Sequence, residues 1–288
     1  MDQTLRVAQA STRAESTELR AATLPLSQLI RDFYRSATGK GYWLYSAWIE
    51  LLLSYRSTIL GPLWIPIGTA VFVFAVGSLY GRVILTNGSN TYLAYLAVGI
   101  TLWYFINQSI VGSSHVFVSN RTDILDGATG YTDIILKLIT RNAITLLHNT
   151  IVVLLAMIIS QIALSFEALL ILITIPLFLL NLLWICVIIS ILGARFPDLE
   201  EITRSILRLM FFLTPILWMP HQHGRGAPVG ALLYLNPFYY FLEVIRAPLL
   251  YGQVPYFEMG VLVAALPIGW FAASMLYART RQWVALWL

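Results

Sequence analysis

The sequence predicts an all-α integral membrane protein: six transmembrane helices, an N-terminal cytoplasmic interfacial amphipathic helix, and short re-entrant helices in the last outer loop. Three observations predict it. Of 288 residues, 58% are hydrophobic and 11% charged, whereas a soluble globular domain carries about 25% charged residues. Too little polar surface remains to coat a water-soluble particle. Six apolar stretches approach the roughly 20 residues that a helix needs to cross a hydrocarbon core. Basic residues sit almost wholly on one side of those stretches. The composition excludes an ordinary soluble enzyme, a disordered chain and a nucleic-acid-binding module. A single cysteine, Cys186, excludes an intrachain disulfide and a cysteine-built zinc site.

Residues 1–24 are polar and rich in Ser, Thr and Ala, and read as a mobile cytoplasmic tail. From Pro25, the residues Leu26, Leu29, Ile30, Phe33 and Tyr34 recur at helical spacing, with Arg31, Asp32 and Arg35 opposite. Beyond the Gly39–Gly41 break, Leu44, Trp48, Leu51, Leu52 and Tyr55 share a stripe. An interfacial unit over 25–59 accounts for both patterns, with Trp43, Trp48, Glu50, Tyr55 and Arg56 in its second helix. An early start of the first span is the competing reading of that helix. Gly61-Pro62 forms a corner, because proline is tolerated in a helix's first turn and disfavours helix in the residue before it. The transmembrane domain then occupies 60–279, with spans at 60–80, 92–118, 134–162, 168–192, 202–218 and 257–277, and 280–288 as the cytoplasmic C-terminus. About 60 residues precede the first span, so a cleaved signal peptide is not expected. Strand alternation over about 10 residues does not recur, which disfavours a β-barrel.

Orientation follows from the cations. Of 18 Lys and Arg residues, only Arg82, Arg225 and Arg246 fall outside residues 1–59, the stretches 121–141 and 195–208, and the C-terminus. The positive-inside rule therefore places both termini in the cytoplasm. The net charge of +4 is topological, and it points to anionic lipid headgroups rather than nucleic acid.

The third outer loop, 220–255, carries apolar runs at 232–235 and 238–250 that are too short to span, broken by Pro228, Pro237, Pro248 and Gly252. Such runs read as re-entrant segments packed on protein or a water-filled cavity, with a helix lying on the surface as the alternative. Glu243 and Arg246 stand at i, i+3, either as an ion pair fixing a short helix or as the lining of an exit. On the cytoplasmic side, the turn 119–132 is polar, and Asp198, Glu200 and Glu201 open a helix at its positive dipole end. No phosphate-binding loop exists, since Gly39-Lys40-Gly41 lacks both the upstream Gly and the following Ser or Thr. His221 and His223 have no neighbouring ligand in sequence. The deep polar pairs Asn107–Gln108 and His148–Asn149 are read as interhelical hydrogen bonding or as a substrate site. No aligned chain of intramembrane acids argues for a proton-coupled pump, and no matching broken helices in two halves argue for a secondary transporter. The nine Trp, fifteen Tyr and fourteen Phe gather at span ends, as interface belts or as faces on which sugars stack.

The runs YRSTILGPLWIP (55–66), YLAVGITLW (95–103), RNAITLLHNTIVV (141–153), LGARFPD (192–198), FFLTPILW (211–218) and LNPFYYFLEVIRAPLL (235–250), in this order, resemble permease subunits of type-2 ATP-binding-cassette exporters. The similarity covers almost everything after residue 40 and is greatest to exporters of lipid-linked polysaccharides, O-antigen chains above all, with capsule and teichoic-acid exporters similar but less close. It implies a transporter subunit rather than an enzyme, with no catalytic residue, metal or cofactor of its own. Two copies would pair with two separate ATPase subunits that bind ATP and Mg. The interfacial helix, with Asn120, Arg121, Asp123, Asp126 and Tyr131 in one turn and Arg195, Asp198, Glu200 and Glu201 in another, would dock on the ATPase. Trp64, Trp103, Tyr104, Tyr239, Tyr240, Glu243 and Arg246 would line a channel or its outer vestibule. The substrate would be an undecaprenyl-diphosphate-linked polysaccharide crossing a bacterial inner membrane. A small-molecule or drug exporter of the same superfamily is the alternative, and a membrane-embedded lipid or sugar transferase a more distant one.

Overall fold

The computed structural model describes residues 25–39, 42–83, 91–220 and 233–288. The predicted tail at 1–24 and the loop residues 84–90 and 221–232, His221, His223 and Arg225 among them, lie outside the described residues. Every regular element among the described residues is helical. In chain order they are α1 (Pro25–Thr38), α2 (Tyr42–Ser54), α3 (Trp64–Val83), α4 (Thr91–Ser119), α5 (Arg121–Leu125), α6 (Tyr131–Ile159), α7 (Ile171–Arg195), α8 (Leu199–Leu213), α9 (Pro237–Arg246) and α10 (Tyr256–Trp287). A 3-10 turn, Gly61–Leu63, leads into α3 with Pro62 in its first turn, as the corner reading expects. Another, Phe166–Leu170, precedes α7.

Five stretches are long and apolar enough to cross a membrane: Gly61–Tyr80, Thr91–Ser119, Tyr131–Ile159, Phe166–Arg195 and Tyr256–Trp287. The sixth expected span, 202–218, is not a full-length helix. Its helix, α8, has 15 residues, about 22 Å at 1.5 Å per residue, and it ends at Thr214, where Pro215 supplies no backbone donor. The segment still runs the length of α4 in the opposite direction. Glu200 Oε1 stands 3.6 Å from His115 Nδ1 near the C-terminal end of α4. At its other end Tyr92 donates to the Leu217 carbonyl at 2.8 Å. This crossing is helical for two thirds of its course and irregular for the rest.

The central helix is α4, which packs against α3, α6, α7, α8 and α9. Its crossing with α7 is backbone to backbone. A Cβ on Gly193 would lie 1.8 Å from the Ser114 carbonyl oxygen, a distance only glycine allows.

One end of the bundle collects the C-termini of α4, α7 and α10, the N-termini of α6 and α8, and the short helices α1 and α2. Asp32 accepts a 2.8 Å hydrogen bond from the Tyr277 hydroxyl and pairs with Arg281 at 3.2 Å. The Ser36 and Thr132 hydroxyls bond at 2.7 Å, and Trp43 Nε1 donates to the Ser36 carbonyl at 3.0 Å. This is the end where the basic residues gather. The opposite end holds α9 and the π-helical turn Ala247–Tyr251 that continues it, closed by Gly252 in the left-handed region at φ 58°. Asn236 caps α9 by accepting from the Phe238 amide at 2.9 Å, and Pro237 fills the first helical position, where its missing N–H costs nothing.

The apolar stripe of α2 is divided: Ala47 and Leu51 are buried against the bundle, while Leu44, Trp48 and Leu52 point outward, as a helix lying in the membrane interface requires. Glu50, beside Leu51, meets two cations on α6.

Candidate coupling end and polar face

At the basic end, Glu50 of α2 is clamped by two side chains of α6. Its Oε2 lies 2.9 Å from Lys137 Nζ and its Oε1 2.5 Å from Arg141 Nη1. Partial burial pushes the Glu50 carboxyl upward, but the hydrogen bonds and charges of Lys137 and Arg141 outweigh it and hold the group below its ordinary value. The stabilisation this clamp gives is therefore present above the ordinary glutamate range and is lost as pH falls through the lowered value. Lys137 and Arg141 sit at i, i+4 on the same helix face, but the sequence reading counted them only for orientation.

Both expected coupling turns stand at this end. Arg121 and Asp126 are exposed, and Asp123 is half-buried. Asn120 donates from Nδ2 to the Val116 carbonyl at 2.8 Å, tying the turn to α4, and Tyr131 packs edge-on against Phe117 at 5.4 Å. In the second turn, Arg195 sits 5.7 Å from the rings of both Phe196 and Trp287. Glu200 pairs with Arg204, whose hydrogen bond is the main reason its carboxyl lies below the ordinary range. Asp198 and Glu201 face solvent. Among the interfacial residues, Trp43 is half-buried against α1, whereas Trp48 and Arg56 are exposed and Tyr55 partly so.

The expected channel residues separate. Trp64 is 50% exposed at the start of α3. Trp103 is buried between Phe211 and Phe238, at 5.9 and 5.4 Å. Tyr239, Tyr240 and Glu243 are buried in the outer segment, where the Tyr240 hydroxyl donates to the Tyr234 carbonyl at 2.7 Å. Arg246 is fully buried and is spent on structure. Its Nη1 donates to the Pro215 carbonyl at 2.6 Å, its Nη2 to the Tyr95 carbonyl at 3.4 Å, and its guanidinium lies 3.8 Å over the Tyr95 ring. Tyr95 in turn donates to the Pro215 carbonyl at 2.6 Å. This knot closes the outer end of α8 onto α4, and the sequence reading missed Tyr92 and Tyr95 in it.

Only Tyr104 of that channel set belongs to what is the clearest feature of α4. Between residues 94 and 117 every residue of this helix is buried except Tyr104, Asn107, Gln108 and His115. All four are polar, and at about 100° per residue they fall on one face. Tyr104 and Asn107–Gln108 lie at the middle of the helix, where polar groups facing lipid are costly. Two depressions flank them. One, of about 320 Å³, is lined by Trp103, Asn107, Arg204, Arg208, Phe211 and Phe212. The other, of about 400 Å³, includes Tyr55, Thr69, Tyr104, Gln108, Arg141 and Asn149. Asn149 is buried and its side-chain oxygen has no hydrogen-bond partner, while His148 Nδ1 lies 2.7 Å from the Ile144 carbonyl of its own helix. Helices are bridged instead by Asn142, which donates to Ser109 Oγ at 3.2 Å, and by Asn181, which donates to the Leu262 carbonyl at 3.1 Å. Among the described residues no group of three His, Cys, Asp or Glu side chains could hold a metal.

The model of the ABC-2 type transporter family matches residues 43–250, from the first turn of α2 to the π-helical turn after α9. The O-antigen export system permease protein RfbA of Myxococcus xanthus is 23% identical over 261 residues, covering 88% of this chain and 97% of that protein. The family match takes in the clamp, both expected coupling turns, the polar face of α4 and the outer knot, and it extends over well more than half of the sequence. A multi-pass helical membrane protein with this arrangement and this match belongs to the ABC-2 type transporter family.

Proposed function

We propose that two copies of this chain form the membrane passage of an ATP-driven exporter that carries a lipid-linked polysaccharide, an O-antigen-type chain on undecaprenyl diphosphate, outward across a bacterial inner membrane. The observation that carries this reading is the partly open polar face of α4. At mid-depth Gln108 is exposed and Tyr104 and Asn107 are half-buried, each lining a depression that the described helices leave open. A second copy placed opposite that face encloses a polar path, and hydroxyl-rich sugars supply the hydrogen bonds these amides need. The aromatic rings of Phe211 and Phe212 beside it offer faces for sugar rings. The O-antigen export role named for the Myxococcus xanthus relative supports the polymer over a small molecule.

ATP and Mg belong to separate ATPase subunits that press on the basic end, which faces the cytoplasm together with both termini. Asp198 and Glu201 present carboxylates there, and α2 transmits movement through Glu50 to α6. Two results are expected. Asn107→Leu with Gln108→Leu keeps the bundle apolar and folded, yet lowers surface polysaccharide roughly tenfold or more by removing hydrogen bonds from the path. Undiminished polymer at normal protein level would overturn the passage. Asp198→Lys with Glu201→Lys is expected to abolish export while the ATPase subunit, assayed alone, stays active. Full export by that variant would remove the coupling role of this turn.

A further inference from the structure

A cavity of about 300 Å³ lies between α2, α4 and α6 at the basic end, apart from the mid-depth face. Its polar lining is Glu50, His115, Ser119, Asn120, Lys137 and Arg141, and its apolar lining includes Val116, Ile134 and Leu138. One carboxylate answers two permanent cations there: Glu50 gives one oxygen to Lys137 and the other to Arg141. Lys137 carries three donors and Arg141 five, so both keep donors beyond those that Glu50 takes. Neither is sealed, since their side chains are 21% and 37% exposed. A doubly cationic wall edged by apolar side chains, at the basic end of the bundle and beside an interfacial helix, matches the phosphate group of a lipid headgroup.

We propose that this cavity binds the phosphate group of a lipid headgroup, with Lys137 and Arg141 as its donors and Glu50 as the counter-ion it displaces. A phosphate forms charge-assisted bonds with both cations at once, as the carboxylate does. Its arrival releases α2 from α6, because Glu50 is the polar anchor between them. Occupancy of the cavity is thereby linked to the position of the interfacial helix. Arg141 also lines the mid-depth depression that contains Tyr104 and Gln108, so a headgroup held here stands at the inner mouth of that depression. The site itself stands on its own geometry and does not require the polysaccharide reading.

The test is native mass spectrometry of the purified full-length chain titrated with phosphatidylglycerol, with phosphatidylcholine, and with inorganic pyrophosphate. Phosphatidylglycerol is expected to bind roughly tenfold more tightly than phosphatidylcholine, and the preference is expected to shrink with salt. K137Q/R141Q is expected to lose that preference. E50Q keeps both cations and frees them, so it is expected to bind phosphatidylglycerol more tightly than wild type even though α2 docks less firmly. A merely structural clamp predicts the same weaker docking for E50Q but no gain in affinity, and that result overturns the proposal. Competition by inorganic pyrophosphate alone assigns the affinity to the phosphate group whatever its source; displacement only by the lipid assigns it to a membrane headgroup. Equal binding of both lipids by wild type and K137Q/R141Q also overturns it. Export assays report separately on the passage, so a failure there leaves these binding results standing.

Discussion

Arg246→Met is expected to destabilise the protein by about 2 to 4 kcal/mol, the loss of charge-assisted hydrogen bonds to two carbonyls together with a buried cation–π contact. The side chain is fully buried. Its guanidinium supplies donors to the Pro215 and Tyr95 carbonyls and covers the Tyr95 ring. Methionine has similar length but no donor, so the Tyr95 carbonyl loses a contact and the tyrosine face loses its cation. A paired variant makes the test specific. A Cβ on Gly99 would stand 1.8 Å from Arg246 Nη2, so Gly99→Ala is expected to expel the same guanidinium. Once methionine occupies position 246, that clash is gone. The double variant should therefore cost clearly less than the two single losses together. Thermal unfolding of the detergent-solubilised protein reads all three, and strict additivity would contradict the packing described.

The second large effect is expected at Gly193. A valine there must place its Cβ against the Ser114 backbone, 1.8 Å from a carbonyl oxygen that belongs to another helix. Side chains can swing away from an added methyl group, but a helix backbone cannot. The cost is therefore expected at or above about 3 kcal/mol, the upper end of overpacking penalties, with α7 driven off α4. The protein should still insert, because its apolar stretches are unchanged, but limited proteolysis should cut it faster at the turn 194–198 and its melting temperature should fall. A melting temperature equal to wild type would mean that the two helices are farther apart than the Gly193–Ser114 approach implies.

The two outcomes rest on residues with different visibility in the sequence. Hydropathy located five of the crossings because apolar length alone decides insertion. It overstated the sixth because it sums residues without asking whether Thr214–Pro215 continues a helix. The broken outer segment was readable from Pro237, Pro248 and Gly252, since those residues restrict backbone geometry wherever they occur. Arg246 was readable only as a charge near an outer edge. Its burial depends on Tyr95 and Pro215, which stand 151 and 31 residues away from it in sequence. Likewise Asn107–Gln108 was recognisable as a deep polar pair, but which way a polar side chain faces is decided by which neighbouring helices leave that side open. Lys137 and Arg141 served as topological markers, and their meeting with Glu50 is a long-range event that no local pattern encodes.

The irregular stretch after α8 has a mechanical consequence. The carbonyls of Pro215, Leu217 and Trp218 are taken by Tyr95, Tyr92 and Arg246, so the outer end of this crossing is pinned to α4. Thr214, at the break in the helix, is the natural fulcrum. Below it, α8 is a rigid arm about 22 Å long, with Glu200 and Glu201 at its far tip and only Thr203 and Leu207 buried along it. Under the proposed function, a push at the tip would be delivered as a swing, greatest at the basic end and vanishing at the fulcrum. It would carry Arg204, Arg208 and Phe211 past Asn107, widening or narrowing the depression between them while the outer cap stays still.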